Sequence, residues 1–264
     1  MPHVYTDQLQ NTIQLKEYPR RIISLVPSQT ELLFDLGLEE EVVGITKFCI
    51  HPEKWRREKT IVGGTKKFDF DAIAKLQPDL IIANKEENYL EGIKQLQQSY
   101  PVWMSDIVHL EDSYAMIHSL GELTNRASQA NEWVQKIEKA FTQPFSFVKK
   151  RVLYLIWRQP WMAAGEGTFI SSMLETIGMQ NAVEEERYPQ LNNDQLQRCK
   201  PDIVFLSSEP YPFQSKHIAE LNQLLPKAQV VLVDGEMFSW YGSRLAQAPD
   251  YFRQLHLQLN SHTH

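Results

Sequence analysis

The 264-residue sequence has only two cysteines, Cys49 and Cys199, 150 positions apart, so it does not depend on a disulfide framework and suits a reducing compartment as well as any other. It has no excess of positive charge. The 27 lysines and arginines stand against 33 acidic residues, and the net charge of −6 removes the basic field that nucleic acid or an anionic membrane surface would select. No run approaches the ~18 uninterrupted apolar residues of a membrane span, so no membrane insertion is expected. The opening Met1-Pro2-His3-Val4-Tyr5-Thr6-Asp7 has neither the basic nor the apolar stretch of an export signal. There is no G-x-S-x-G elbow and no phosphate-binding G-x-x-x-x-G-K-[ST] loop, and Gly165-Glu166-Gly167 lacks the third glycine and acidic partner of a dinucleotide fingerprint. What is present is 42% hydrophobic and 11% aromatic residues, the material of packed domains, in a length suited to about two of them.

The polar connection after Val4-Tyr5-Thr6 leads to Thr12-Ile13-Gln14-Leu15, which predicts a short hairpin. Arg21-Ile22-Ile23-Ser24-Leu25 then reads as a strand, Ser28 to Glu31 as a capping box, and Leu32, Leu33 and Leu36 as a helix that stops at Gly37. Strands at Val42 to Ile45, Leu80 to Ala83 and Val102 to Met104 alternate with helices, one of them short and covering 71 to 77. From Glu111 to about Phe147, Met116, Leu120, Leu123, Ala130, Val134, Ile137 and Phe141 recur at three- or four-residue steps. They predict two stiff helices with a turn near Thr124-Asn125-Arg126. The strand and helix alternation restarts at Arg151. Asp71 to Ile82 matches Asp194 to Phe205 at a constant offset of 123, a faint internal repeat. The expected fold is therefore α/β: two Rossmann-like lobes with central, mostly parallel sheets, residues 1–108 and 149–264, joined by a long rigid helical segment, 109–148.

Ligands of open parallel sheets collect beyond the carboxyl ends of the strands. The segments expected there are rich in aromatic and polar residues, among them Phe48, Trp157, Trp161, Tyr188, Trp240 and Tyr241, and two facing lobes would enclose a cleft for a large flat ligand. Each aromatic taken alone is as well explained by lidding its own sheet. Cys49 and His51, two apart, either share a soft metal or are a packed thiol beside a polar imidazole. With no C-x-x-C or H-E-x-x-H nearby, no dedicated metal site is expected. Glu86, Glu87 and His51 are the acid-base candidates of a rival reading, an enzyme acting on a corrinoid or related cofactor precursor. The plainer account of Glu86 and Glu87 is favourable charge at a helix start. His262 and His264 read as a frayed tail.

The hairpin, the segment Pro19-Arg20-Arg21-Ile22-Ile23-Ser24-Leu25-Val26-Pro27-Ser28-Gln29-Thr30-Glu31-Leu32, the Leu76-Gln77-Pro78-Asp79-Leu80-Ile81-Ile82-Ala83 strand and the helices between similar lobes resemble, over nearly the whole chain, the helical-backbone substrate-binding proteins of cobalamin and iron-siderophore ABC transporters, the cobalamin branch nearest. The resemblance implies a binding protein and not an enzyme. Its ligand would be cobalamin, haem or a ferric siderophore, carrying its own metal, with no intrinsic cofactor. Ligand-lining aromatics of the family fall on Phe48 and Tyr188, two of its tryptophans are replaced by Thr65 and Asn84, and its polar pair near the last loop aligns roughly with Glu236 and Trp240, with Arg244 as a further handle. Asp71 and Asp194 coincide with the acids by which the family docks on an ABC permease. Each is equally accounted for by the helix dipole. The family is exported, so the protein is either cytoplasmic, as the opening residues suggest, or periplasmic with a leader lying upstream. Gln10 replaces the usual hairpin glycine.

Overall fold

The structure, a computed structural model, describes residues 3–145, 147 and 149–261; His262 and His264 lie outside the described residues. The hairpin is β1 (His3–Thr6) and β2 (Thr12–Leu15), antiparallel, with Gln10 in the left-handed region at φ 66°. The chain continues through β3 (Ile22–Ser24), α1 (Pro27–Asp35), β4 (Val42–Ile45), α2 (Glu53–Glu58), β5 (Thr60–Ile61), β6 (Gly63–Gly64), β7 (Lys67–Phe68), α3 (Phe70–Leu76), β8 (Leu80–Asn84), α4 (Leu90–Gln97) and β9 (Val102–Ser105). Two helices follow, α5 (Leu110–Leu123) and α6 (Ala127–Phe141). Then come β10 (Arg151–Trp157), β11 (Trp161–Ala163), α7 (Phe169–Thr176), β12 (Gln180–Asn181), β13 (Gln190–Leu191), α8 (Asn193–Arg198), β14 (Ile203–Ser207), α9 (Ser215–Leu224), β15 (Gln229–Val233), α10 (Glu236–Ser239), a 3₁₀ turn (Ser243–Ala246) and α11 (Ala248–Ser261).

The chain divides into two compact units. The first comprises Met1–Ile107, Glu111–Lys139 and Tyr241–Ala246, and the second Val108–Leu110, Ala140–Trp240 and Gln247–His264. The boundaries read from the sequence, 108 and 148, differ from these, because α5 and most of α6 belong to the first unit. Met116, Ile117, Leu120 and Leu123 are fully buried. An apolar helix face of that size needs a core to cover it. The turn between the helices falls at Asn125, φ 57°, and α6 ends at Phe141, short of the expected 147.

The first unit has an all-parallel five-stranded sheet, order β5-β4-β3-β8-β9. In the second, β12, β14 and β15 run parallel with β10 in a six-stranded sheet, and β11 and β13 are antiparallel, so the α/β, mostly parallel expectation holds. Strands buried on both faces, such as Leu80–Asn84 and Ile203–Ser207, are what helix-covered parallel sheets require.

The sequence repeat encodes one local device twice. Gln77 and Lys200, each just after a short helix and before a proline, take the left-handed conformation at φ 45°. The following aspartate then pins the start of a neighbouring strand: Asp79 accepts from the backbone N–H of Arg20 and Arg21 at 2.8 and 2.9 Å, and Asp202 from that of Arg151 at 2.8 Å. The guanidinium groups complete it, Arg21 donating to the Leu76 carbonyl at 2.7 Å and Arg151 to that of Cys199 at 3.2 Å. One expectation fails. Ser28 does not cap α1, because Pro27 already occupies the first turn, Val26 is the N-cap and no side chain caps it.

Candidate functional site

In the first unit the four main strands end on buried polar residues. Ser24 closes β3, Thr46 follows β4, Asn84 closes β8 and Ser105 closes β9. They form a connected layer. Thr30 Oγ1 lies 2.7 Å from Ser24 Oγ and 3.0 Å from the Cys49 thiol, Thr46 Oγ1 is 3.2 Å from the same thiol, and Ser105 Oγ accepts from Gln29 and, at 3.0 Å, from Asn84. Asn84 Oδ1 accepts from the backbone N–H of Glu86 and Glu87, and Asn88 Nδ2 donates to the carbonyls of Leu25 and Thr65 at 3.2 and 3.1 Å. Asn84 thus holds a turn, its amide committed to the protein. Residues 85–88 precede α4 and do not open it, which removes Glu86 and Glu87 from a helix start.

Above this layer Phe48 is 51% exposed. It lies against Gly64, where an added Cβ would stand 3.1 Å from the Phe48 ring and 3.3 Å from Lys47 Cε. Phe48, Lys47, the β6–β7 hairpin and the start of α3 line an open pocket of about 750 Å³. Cys49 is fully buried, and burial pushes its thiol pKa up. Such a thiol is a packed group and a poor metal ligand. Among the described residues no group of three His, Cys, Asp or Glu is placed to hold a metal ion.

The second unit ends its sheet on aromatics and carboxylates. Trp157, at the end of β10, is 40% exposed and meets Tyr211 edge-on, and Arg158 stacks 4.2 Å above Trp161 while pairing with Glu220. Tyr188 is half-buried beside a segment zipped to Gly165 and Glu166, whose amides bond to Arg187 and Glu185 carbonyls at 2.7 and 2.9 Å. Trp240 is buried, and its indole donates to Glu209 Oε1 at 2.7 Å, an oxygen also met by Ser239 Oγ at 3.0 Å. Glu209 stands two residues beyond β14, after Ser208, and is not among the residues singled out from the sequence. Burial raises its carboxyl pKa, Glu236 and Asp234 add to the rise, and the Trp240 and Ser239 hydrogen bonds oppose it. A folded-state pKa above the unfolded value means that the stabilisation is complete below the unfolded pKa and is lost as pH rises through the folded one. Glu209→Gln keeps an acceptor for both donors. The stability difference between this variant and the parent should therefore move in the variant's favour from acid to neutral pH in urea titrations; a pH-independent difference would refute the assignment.

The loop expected to carry Glu236, Trp240 and Arg244 together is divided. Glu236 and Trp240 belong to the second unit, but the chain passes into the first at Tyr241. There Arg244 makes a two-pronged ion pair with Glu31, at 2.8 and 2.6 Å, with the side chains only 11% and 14% exposed. Ser243 hydrogen-bonds Asp35, and Ser113 donates to the Tyr241 carbonyl. Arg244 is accordingly a structural group here and Trp240 a buried one, whereas Phe48 and Tyr188 keep exposed surface and Thr65 and Glu236 are half-buried. Asp71 and Asp194 are both exposed at the second position of their helices, α3 and α8. Asp71 borders the 750 Å³ pocket, and Asp194 a comparable one of about 790 Å³ in its own unit. The caps themselves are Asp69 and Asn192.

A sequence profile for the family described as periplasmic binding protein matches residues 22–227. The chain belongs to this family. The vitamin B12-binding protein of Pectobacterium carotovorum is 24% identical over 239 residues, covering 87% of this chain and 86% of the relative. Among solved structures, the periplasmic heme-binding protein RhuT of Roseiflexus sp. RS-1 has a TM-score of 0.76 at 18% identity, covering 92% of this chain and 98% of that one. The petrobactin-binding protein YclQ of Bacillus subtilis has a TM-score of 0.78 at 17% identity, covering 96% and 98%. These structural likenesses show the fold. As a periplasmic binding protein the chain is a solute-binding protein and not an enzyme, which removes the acid-base role read for Glu86, Glu87 and His51. No helix among the described residues is long and apolar enough to cross a membrane.

Proposed function

We propose that this chain is the receptor of an ABC transporter for a bulky metal-containing ligand, a corrinoid, haem or ferric siderophore, bound without chemical change. The observation that carries the reading is that each unit by itself leaves a large apolar side chain exposed at the carboxyl end of a parallel strand, Phe48 in the first and Trp157 in the second, where Tyr188 is half-buried. Flat apolar area with few polar handles suits a large chelate. Such a ligand brings its metal inside its own coordination shell, so the receptor needs no metal ligands and no cofactor of its own. The ligands of the relatives, vitamin B12, heme and petrobactin, are chelates of this kind or metal-chelating compounds, and the similarity to a periplasmic heme-binding protein favours the periplasm over the cytoplasm as the place of work.

Asp71 and Asp194, in equivalent places on the two repeated helices, are proposed to meet basic residues of the permease. The test uses the visible absorption of these ligands. Protein purified from its native host, or mixed with haemin, cyanocobalamin or a ferric siderophore, should carry one of them unchanged in a stoichiometric complex. Asp71→Asn with Asp194→Asn should not weaken that complex, since only a negative charge leaves the pocket that Asp71 borders, and should abolish permease-dependent uptake. Binding of none of the three would sink the receptor reading, and normal uptake by the double variant would sink the docking assignment.

A further inference from the structure

We infer that the ligand is an anion with a flat apolar face, its negative groups taken by Lys47, Lys66 and Lys67 around the Phe48 ring; this rests on the receptor reading above and narrows its ligand class. The protein carries a net charge of −6, yet three of the ten residues lining the pocket beside Phe48 are lysines. Two aspartates share that lining, and Asp69 is committed, its carboxylate accepting from the Ala72 N–H at 2.9 Å as the cap of α3. Three lysines against two aspartates leave the lining positive, against the sign of the whole chain.

The geometry makes these lysines more than scattered surface charge. Lys47 Nζ stands 5.0 Å from the Phe48 ring centroid, a cation–π arrangement that holds an ammonium group next to an exposed aromatic face. Both side chains rest on Gly64, where a side chain would intrude. Lys66 and Lys67 sit on the β6–β7 hairpin, whose tight return depends on Gly63 at φ 99°. The hairpin is tied down by buried Asn88, which donates to the Thr65 carbonyl, and Lys66 itself donates to the Glu86 carbonyl, leaving two of its three N–H groups for a ligand. The buried asparagine pair, Asn84 and Asn88, linked by the Asn84 N–H to Asn88 Oδ1 bond of 2.9 Å, therefore serves the ligand indirectly, by fixing the segment that bears the charges.

Within the proposed ligand class this separates two chemistries. Haem carries carboxylates on a flat ring, and many ferric siderophores carry carboxylate or catecholate oxygens. A corrinoid presents a rim of uncharged amides, for which three lysines offer no advantage.

The test is a fluorescence-quenching titration of the full chain with haemin, ferric tris-dihydroxybenzoate and cyanocobalamin, each at low and high salt. At least one anionic probe should bind more tightly than cyanocobalamin, weaken as salt rises, and lose about ten- to a hundredfold in affinity in the Lys47→Gln, Lys66→Gln, Lys67→Gln variant. The corresponding triple arginine variant should keep most of that affinity, with unchanged circular dichroism in both variants. Tightest binding by cyanocobalamin, or an anion affinity indifferent to the glutamine substitutions, would overturn the inference and leave the receptor reading standing. Binding of no probe by the parent protein would overturn both.

Discussion

Arg244→Ala should cost the protein about 3–5 kcal/mol of stability, because it leaves the Glu31 carboxylate in the interior without its countercharge. The loss should exceed that of Glu31→Ala. Asp35, whose pKa is raised by burial, is also raised by the Glu31 charge and lowered by Arg244, so removing the arginine leaves two carboxylates that repel each other in one place. Replacing both members of the pair, Glu31→Leu with Arg244→Met, should recover most of the loss, since a well-packed apolar pair of similar volume is often as stable as a buried ion pair. Urea unfolding of the three variants decides the matter. A cost below about 1 kcal/mol for Arg244→Ala would place this pair among surface salt bridges and return Arg244 to the ligand-binding candidates.

The two adjacent glycines of β6 should behave oppositely. A Cβ at Gly63 would lie 2.4 Å from the Lys67 carbonyl oxygen and 2.8 Å from the Asp69 backbone nitrogen, and φ 99° is closed to other residues on its own account. Backbone cannot step aside as a side chain can, so Gly63→Ala should cost roughly 2–4 kcal/mol by the strain and overpacking that it forces. It should also displace the hairpin that presents Lys66 and Lys67, and disturb Asp69 as cap of α3. At Gly64 an added methyl meets only the Phe48 ring and the Lys47 stem, both exposed and free to swing outward. Gly64→Ala should stay within about 1 kcal/mol in stability, while still altering ligand affinity by moving Phe48. Equal losses at the two positions, read from urea midpoints, would contradict this account.

Most of the architecture was legible because it is written in local terms. Buried strands, helical periodicity and the 123-residue repeat are patterns within short windows, and the repeat carried more than a shared topology. Its Pro-Asp dipeptide, residues 78–79 and 201–202, sits after a left-handed residue and supplies the carboxylate that anchors the start of a neighbouring strand earlier in the chain. The site was less legible because its assignments depend on distant partners. Arg244 resembles a ligand handle until Glu31, 213 positions earlier, is found against it. Asn84 stands at a strand end as a binding residue would, yet its amide is consumed by a turn and by Ser105. Glu209 had a signal that reading could have used, a lone acid two residues after a fully buried strand, but its meaning came only with the Trp240 indole. The capping box at Ser28 failed for a local reason, the preceding Pro27, which starts the helix two residues early.

The segment Tyr241–Ala246, which belongs to the first unit although the second unit's chain precedes and follows it, bears on how the protein is made. A ribosome delivers Glu31 and Asp35, both destined for the interior, well before the groups that satisfy them, Arg244 and Ser243, which follow 213 and 208 residues later. At ordinary elongation rates of ~5–20 residues per second that interval is roughly ten to forty seconds. The amino-terminal unit therefore cannot reach its final state as it emerges. That face of the first unit is complete only once Tyr241–Ala246 has been made, and deleting this segment would leave Glu31 and Asp35 without Arg244 and Ser243.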